Sequence, residues 1–297
     1  MTSGTVSINK KELSLSNLEK ELYPAYGFTK ARVLEYYSRV APCILPHLRD
    51  RALTLKRYPD GVEKDYFFEK RCPAHRPAWL RTAEVRHGGK RLTACVVDDL
   101  ETLIWVENLA SIELHVPLAR ADSPGTPDSV VFDLDPGEGA GLPDCAKVAL
   151  ILRDLLADMK LSSCVKTSGR KGLHVYVPLN SKEAGFEDTK NFSKAVALIL
   201  QKNYPGLVTA KMDKEERRRR VFINWSQNDA AKTMICVYSL RAMKEPTVSF
   251  PLAWEELEER GGSGRLQVTH EVALLRTGKQ GDIFREMLDK KQRLPYL

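Results

Sequence analysis

The run Val130-Val131-Phe132-Asp133-Leu134-Asp135-Pro136-Gly137 sets two carboxylates in an otherwise apolar segment. Its alternation is that of a β-strand. Successive side chains leave on opposite faces, so Phe132 and Leu134 point into a core while Asp133 and Asp135 share the other face. At a rise of about 3.3 Å per residue the two Cα atoms lie roughly 6.5–7 Å apart, near enough for both carboxylates to hold one divalent cation or to bridge two. Pro136 cannot donate to a strand ladder and Gly137 suits a turn, so the acids sit at a strand end beside a loop. Taken alone, a D-x-D pair is more simply read as solvated aspartates on a sheet edge, and the other stretches of the chain have to decide.

With 43% apolar and 29% charged residues in 297, the chain is expected to fold around a large core or two modest lobes. Residues 1–11 are polar and lack an apolar h-region, and the most apolar helical stretch is interrupted by Arg153, Asp154 and Asp158. No signal peptide and no membrane span are therefore expected. The six cysteines are scattered without paired spacing, which fits reduced thiols of a cytoplasmic protein better than a disulfide frame. Cys72 and His75 make a lone C-x-x-H with no second pair nearby, so no structural zinc is expected. The net charge of +7 favours a polyanionic partner, although charge does not separate DNA, RNA and nucleotide.

In chain order, Leu13, Leu15 and Leu18 stand among polar residues, and Pro24-Ala25-Tyr26-Gly27 reads as a turn. Thr29 is placed to cap a helix running to about Val40, with Val33, Tyr36, Tyr37 and Val40 on one face. Lys30 falls in its first turn, where unpaired N–H groups and the helix dipole attract a phosphate, and Lys20 can converge on the same spot. Two solvated lysines explain that pattern equally. Residues 52–58 alternate as a strand closed by Pro59-Asp60-Gly61. In Tyr66-Phe67-Phe68-Glu69-Lys70 adjacent phenylalanines of a strand leave on opposite faces, so one can be core while the other is exposed for base stacking, although core packing of both is the commoner outcome. A hairpin-like region at 91–97 precedes a helix over 99–112 that ends before His115. Residues 119–128, rich in Pro, Ser, Gly and Asp, read as a connection between lobes.

Beyond the two-acid strand, 144–159 is the clearest helix, with an apolar stripe of Val148, Leu152, Leu155, Leu156 and Met159. Then follow a strand at 162–167, the tight basic loop Ser168-Gly169-Arg170-Lys171-Gly172, and a strand at 173–179. That order predicts a mixed α/β (α+β) architecture with mainly antiparallel sheets and a helix packed on one face. The loop offers backbone N–H groups beside two cations, which suits a triphosphate, yet lacks the P-loop spacing. A helix over 187–203 leads to the run Arg217-Arg218-Arg219-Arg220, a solvated face or a phosphate contact. The strand 221–225 is expected to pair with 233–239, Arg241 follows, and a final amphipathic helix is expected around 282–290.

Several of these stretches together resemble the polymerase domain of bacterial ligase D, the non-homologous end-joining branch of the archaeo-eukaryotic primase superfamily. They are Leu53-Thr54-Leu55-Lys56-Arg57-Tyr58-Pro59-Asp60-Gly61, Phe67-Phe68-Glu69-Lys70, Val131-Phe132-Asp133-Leu134-Asp135-Pro136, Thr167-Ser168-Gly169-Arg170-Lys171-Gly172-Leu173-His174 and Tyr238-Ser239-Leu240-Arg241, in the family's order. The resemblance covers nearly the whole chain. It implies a single primase-polymerase domain over 1–297, with an N-terminal lobe (1–120) making DNA contacts and a catalytic lobe (121–297) holding metal and nucleotide. No ligase or nuclease segment is attached, so either a stand-alone module or a piece excised from a longer protein is expected.

The implied activity is templated nucleotidyl transfer at DNA breaks or gaps, with ribonucleotides favoured, and manganese, or magnesium, as a pair of catalytic ions. By similarity Asp133 and Asp135 hold the metals. Ser168, Lys171, His174 and Arg241 contact the nucleoside triphosphate, and Lys56, Arg57, Lys70 and His115 line the nucleotide pocket. Phe67 and Phe68 match aromatics against template bases, and Lys20 and Lys30 match the site for a downstream 5′-phosphate. Implied partners are DNA with 5′-phosphorylated ends or gaps, Ku and a separate DNA ligase, in the cytoplasm at the nucleoid, with no membrane. One position departs from the pattern. The family places a third metal-binding aspartate on the strand that here reads Val221-Phe222-Ile223-Asn224-Trp225. Asn224 can still ligate through its amide oxygen, but the site loses a negative charge, which is expected to weaken or abolish turnover. That departure, with the positive charge, keeps a non-catalytic DNA-end binding or bridging module as the alternative. A haloacid-dehalogenase-like phosphatase would also use D-L-D, but the Thr or Val usual after the motif and a later Gly-Asp pair are missing.

Overall fold

Ser129–Pro136 forms the strand that its alternation predicts, and it sits inside a six-stranded sheet rather than on an edge. The protein is described here by a computed structural model over residues 3–87 and 89–295. Contact patterns divide the chain into two units. The first comprises Met1–Pro117, Thr233–Ser249 and Val268–Asp282, and the second Leu118–Lys232, Phe250–Gln267 and Ile283–Leu297.

In the second unit the strand order is Val208–Thr209, Val221–Asn224, Ser129–Pro136, Leu173–Pro178, Cys164–Thr167 and Pro251–Leu252. Every neighbouring pair is antiparallel except the first. Alternation decides what each face carries. Val130, Phe132, Leu134, Leu173, Val175, Val177, Val221 and Ile223 bury into one core with the helices Leu142–Asp158 and Phe186–Asn203, through Val148, Leu152, Leu156, Phe192, Val196 and Leu200. Asp133, His174, Phe222 and Asn224 are left for the opposite face. The expected order of strand, helix, strand, tight loop, strand is observed.

The first unit holds a four-stranded antiparallel sheet in the order Met234–Ile235, Glu113–Val116, Thr54–Arg57 and Phe67–Glu69. Thr29 caps the helix Lys30–Leu48, accepting from the Arg32 N–H at 3.4 Å. That helix runs past Val40 and through Pro42 and Pro46, because Ile44, His47 and Leu48 continue the face that Val33, Tyr36 and Tyr37 bury. Burial there outweighs the lost helix hydrogen bonds. Tyr36 and Tyr37 reach across with their hydroxyls to the carbonyls of Tyr238 and Ile112, at 2.7 and 2.8 Å.

Four expectations need correction. Residues 233–239 do not pair with 221–225: Met234 and Ile235 pair with Val116 and His115, and the 221–224 strand lies between 129–136 and 208–209. Cys72 and Cys95 are not free thiols but a disulfide, brought together by tertiary packing across 23 residues that no local spacing signals. Phe67 and Phe68 are both exposed, at 44% and 52%, because their strand lies at the edge of its sheet with neither face covered. The last long helix is His270–Gln280, with only the single turn Glu286–Asp289 in the 282–290 stretch. Among the described residues no helix is long and apolar enough to cross a membrane.

Candidate functional site

Strand register brings the carboxylates of the second unit to their neighbours. Asp133 is directly opposite His174 on one side and Asn224 on the other. The Asp133 carboxylate is nearly enclosed and accepts from His174 Nε2 at 3.3 Å, Asn224 Nδ2 at 3.2 Å and Gln227 Nε2 at 3.4 Å. Burial pushes this carboxyl up, but the hydrogen bonds from His174, Gln227 and Asn224 outweigh it and hold Asp133 below its ordinary range. Asp135, two residues on and half-buried, has no such set. Burial, and then the charge of Asp133, raise its carboxyl well above the ordinary range, with only partial relief from Arg217. Two hard oxygen donors that repel one another on one strand face are fitted to a divalent cation, and the Asn224 amide beside them turns its Nδ2, not its oxygen, on Asp133. Among the described residues no group of three or more His, Cys, Asp or Glu side chains is arranged for a metal.

His174 is held from behind. Lys166, fully buried, places its Nζ 3.0 Å from His174 Nδ1. An ammonium can only donate, so Nδ1 accepts and Nε2 carries the ring proton toward Asp133. The adjoining loop is pinned just as closely. Ser168 Oγ accepts from the N–H groups of Arg170 and Gly172 at 3.2 and 3.1 Å, and its own N–H donates to the Gly172 carbonyl at 2.9 Å. A hydroxyl that accepts twice keeps its proton to donate, which suits a phosphate oxygen. Gly169 adopts φ +69°, and a Cβ on Gly172 would fall 2.2 Å from the Leu134 carbonyl oxygen, so both glycines are required. That close approach packs the loop directly on the two-acid strand. Lys171 is exposed at its tip.

In the first unit a second cluster forms around Glu113. Lys56 Nζ, His115 Nε2 and Arg241 Nε stand 3.7, 3.1 and 3.6 Å from its carboxylate oxygens. Lys56 also lies over the rings of Tyr66, Tyr58 and Phe68, 3.9, 5.2 and 5.5 Å from their centroids, and Phe68 meets His115 edge-on at 5.9 Å. Arg57 is committed to the Leu109 carbonyl and to Glu69, each at 2.8 Å, with its guanidinium over Phe67. An open groove of about 420 Å³ runs along residues 67–74, and burial lowers the ammonium of Lys70 within it. Lys30 is buried and donates to the Ser16 carbonyl at 2.6 Å, while Lys20 is paired with exposed Asp60 at 2.7 Å. The two lysines are close enough that Lys20 is among the charges lowering Lys30.

Sequence reasoning missed Lys166, Gln227, Asn228 and Glu113. Asn228 clasps the 129–136 strand, accepting from the Val131 N–H at 2.9 Å and donating to its carbonyl at 2.7 Å. Lys166 carried one available signal, a charge at an inward phase two residues before the Ser168 loop. The other three are defined only by which strands become neighbours.

The LigD primase-polymerase domain profile matches residues 29–284. The chain is similar to the multifunctional non-homologous end joining DNA repair protein LigD of Mycobacterium tuberculosis (strain ATCC 25618 / H37Rv), 40% identical over 291 residues that cover 95% of this chain and 38% of the relative. The bifunctional non-homologous end joining protein LigD of Bacillus subtilis (strain 168) is 30% identical over 247 residues, 83% of this chain and 40% of the relative. The chain therefore spans less than half the length of these relatives. Among solved structures, the polymerase domain from Mycobacterium tuberculosis ligase D in complex with DNA superposes with a TM-score of 0.88 at 39% identity, over 94% of this chain and 99% of that one.

Proposed function

This chain belongs to the family of LigD primase-polymerase domains, and from that premise we propose that it is a template-dependent nucleotidyltransferase acting at DNA double-strand breaks in non-homologous end joining. The observation that carries the reading is the placement of Asp133 and Asp135 on one strand face, flanked in register by His174 and Asn224. The chemistry supplied by a pair of divalent ions, manganese by preference, when bound to Asp133, Asp135 and the Asn224 amide oxygen is activation of a primer hydroxyl and neutralisation of charge on the leaving pyrophosphate. The protein's own groups do the rest. Lys166 fixes the His174 tautomer, so that Nε2, which faces Asp133 in this structure, carries the proton that a triphosphate oxygen would accept in place of that carboxylate. Ser168, Lys171 and Arg241 take the remaining phosphate oxygens, and Lys56, Arg57, Lys70 and His115 serve the nucleotide. Phe67 and Phe68, both exposed, stack template bases. Lys20 and Lys30 receive a downstream 5′-phosphate. Preference for ribonucleotides, and work alongside Ku and a separate ligase activity, belong to the same proposal.

The test is extension of a gapped, 5′-phosphorylated duplex with ribonucleotides and manganese. Asp133→Ala is expected to hold extension at least ~100-fold below the parent chain or, where Asn224 leaves the parent inert, below Asn224→Asp, as loss of a metal ligand does; measurable extension equal in both proteins, or none even from Asn224→Asp, defeats the reading. One observation favours a second reading. Asn224 turns its Nδ2 donor on Asp133, so a non-catalytic module that binds and bridges DNA ends would keep this fold. It predicts salt-sensitive binding to 5′-phosphorylated ends with no incorporation even by Asn224→Asp.

A further inference from the structure

A carboxylate with no exposed surface lies at the centre of the first unit's cationic cluster. Glu113 Oε2 is 3.1 Å from His115 Nε2 and 3.7 Å from Lys56 Nζ, and Oε1 is 3.6 Å from Arg241 Nε and accepts from the Ala242 N–H at 3.1 Å. Three elements supply these groups. Glu113 and His115 are two residues apart on one strand, Lys56 pairs with Glu113 across the sheet, and Arg241 comes from a segment more than a hundred residues later. Stripped of water, a lone carboxylate is several kcal/mol unstable, and so are neighbouring cations with nothing between them. Each side of this cluster therefore requires the other. Lys56 is further walled by Tyr66 and Phe68, and Phe68 leans on His115, so the aromatic edge packs directly on this cluster.

We infer that Glu113 is a positioning residue for polyphosphate binding: its buried charge holds the Lys56 and Arg241 cations together with the His115 ring, so that an incoming triphosphate meets the two cations already converged. This rests on the polymerase reading for the identity of the ligand and goes beyond it in assigning a role to Glu113. Two effects compete when Glu113 is neutralised. Net positive charge rises, which attracts an anion, while the cations lose their shared anchor and repel each other. Preorganisation is the larger effect wherever several flexible side chains must meet one ligand.

The experiment is calorimetric titration of the full, metal-free chain with inorganic tripolyphosphate, together with steady-state gap extension. Glu113→Gln keeps the shape and one acceptor oxygen, puts an amide donor in place of the other and removes the charge, and is expected to bind tripolyphosphate about tenfold more weakly and to raise KM for the nucleotide more than it lowers kcat. Glu113→Asp, which keeps the charge, is expected to stay within about threefold of the parent. A Glu113→Gln protein of unchanged melting midpoint that binds as tightly as the parent, or more tightly, overturns the inference. If that variant does not fold, Lys56→Met and Arg241→Met decide. Cations held by a common anchor lose affinity non-additively when combined, and additive losses overturn the inference. Weakened binding by Glu113→Gln with no extension by either protein upholds the role of Glu113 and fails the polymerase reading. Extension with an unchanged KM does the reverse.

Discussion

Asn224 faces Asp133 across hydrogen-bonded strands, its Nδ2 donating to one carboxylate oxygen while its Oδ1 accepts from Ser226 Oγ at 2.8 Å. An aspartate there would set a third carboxylate on the same face. Without cations the added repulsion is expected to lower the stability of Asn224→Asp by ~1–3 kcal/mol, the scale of one to two pKa units of like-charge coupling, and manganese is expected to restore it. Melting curves with and without manganese check this, and a midpoint indifferent to the ion counts against a metal face. Lys30 gives a pH signature. Burial, then the charges of Arg57 and Lys20, lower its ammonium from 10.5 to about 8. Between those values the unfolded chain holds a proton that the folded chain has shed, so this group makes stability rise with pH in that window. Phosphate recognition runs the other way. The preference for a 5′-phosphorylated over an unphosphorylated end is expected to fall as pH climbs through about 8, and Lys30→Met is expected to abolish both the preference and its pH dependence. End-binding titrations across that range measure it. The two aspartates were legible from alternation alone, because period-2 patterning assigns a face without reference to any partner. Glu113 and Lys166 were not, since a buried charge is defined by partners that sequence leaves unplaced.

The element packed directly against the two-acid strand is the Ser168–Gly172 loop. Its turn was readable from composition, and Gly169 at φ +69° and the self-bonded Ser168 agree with it. Why the fifth residue must be glycine was not readable, because the reason is the Leu134 carbonyl, 2.2 Å from where a Cβ would stand. Backbone on a central strand cannot yield as a side chain tip can. Gly172→Ala is expected to cost at least ~2–3 kcal/mol in chemical denaturation, the upper part of the usual range for overpacking; a loss below ~0.5 kcal/mol would show the loop free to lift off the strand. Other elements failed in instructive ways. The mate chosen for 221–225 was wrong because adjacency in sequence was taken for adjacency in the sheet, whereas that strand is claimed by 129–136. Phe67 and Phe68 were split between core and solvent by alternation, which holds only where one face is covered. The hairpin Ser3–Ile8 with Lys11–Ser16 went unassigned although Asn9 and Lys10 take the positive φ values, 48° and 66°, of a tight two-residue turn.

Over the whole molecule, a connection was read near residue 120, and the chain does leave its first unit after Pro117. It comes back twice, with 233–249 and 268–282, through strands of two residues each that carry no periodic signal. Arg241 arrives by that return, which is why a residue far along the sequence meets Glu113, Lys56 and His115. Net charge of +7 favours a polyanionic partner without specifying one. What the account stands on is the acidic strand of the second unit as a cation site used for nucleotidyl transfer. Manganese binding followed by electron paramagnetic resonance, with a non-hydrolysable ribonucleoside triphosphate present, tests this most directly. The account predicts about two bound ions per chain, as two-metal transfer requires, and none in the Asp133→Ala/Asp135→Ala double variant. Equal manganese occupancy in the two proteins would contradict it.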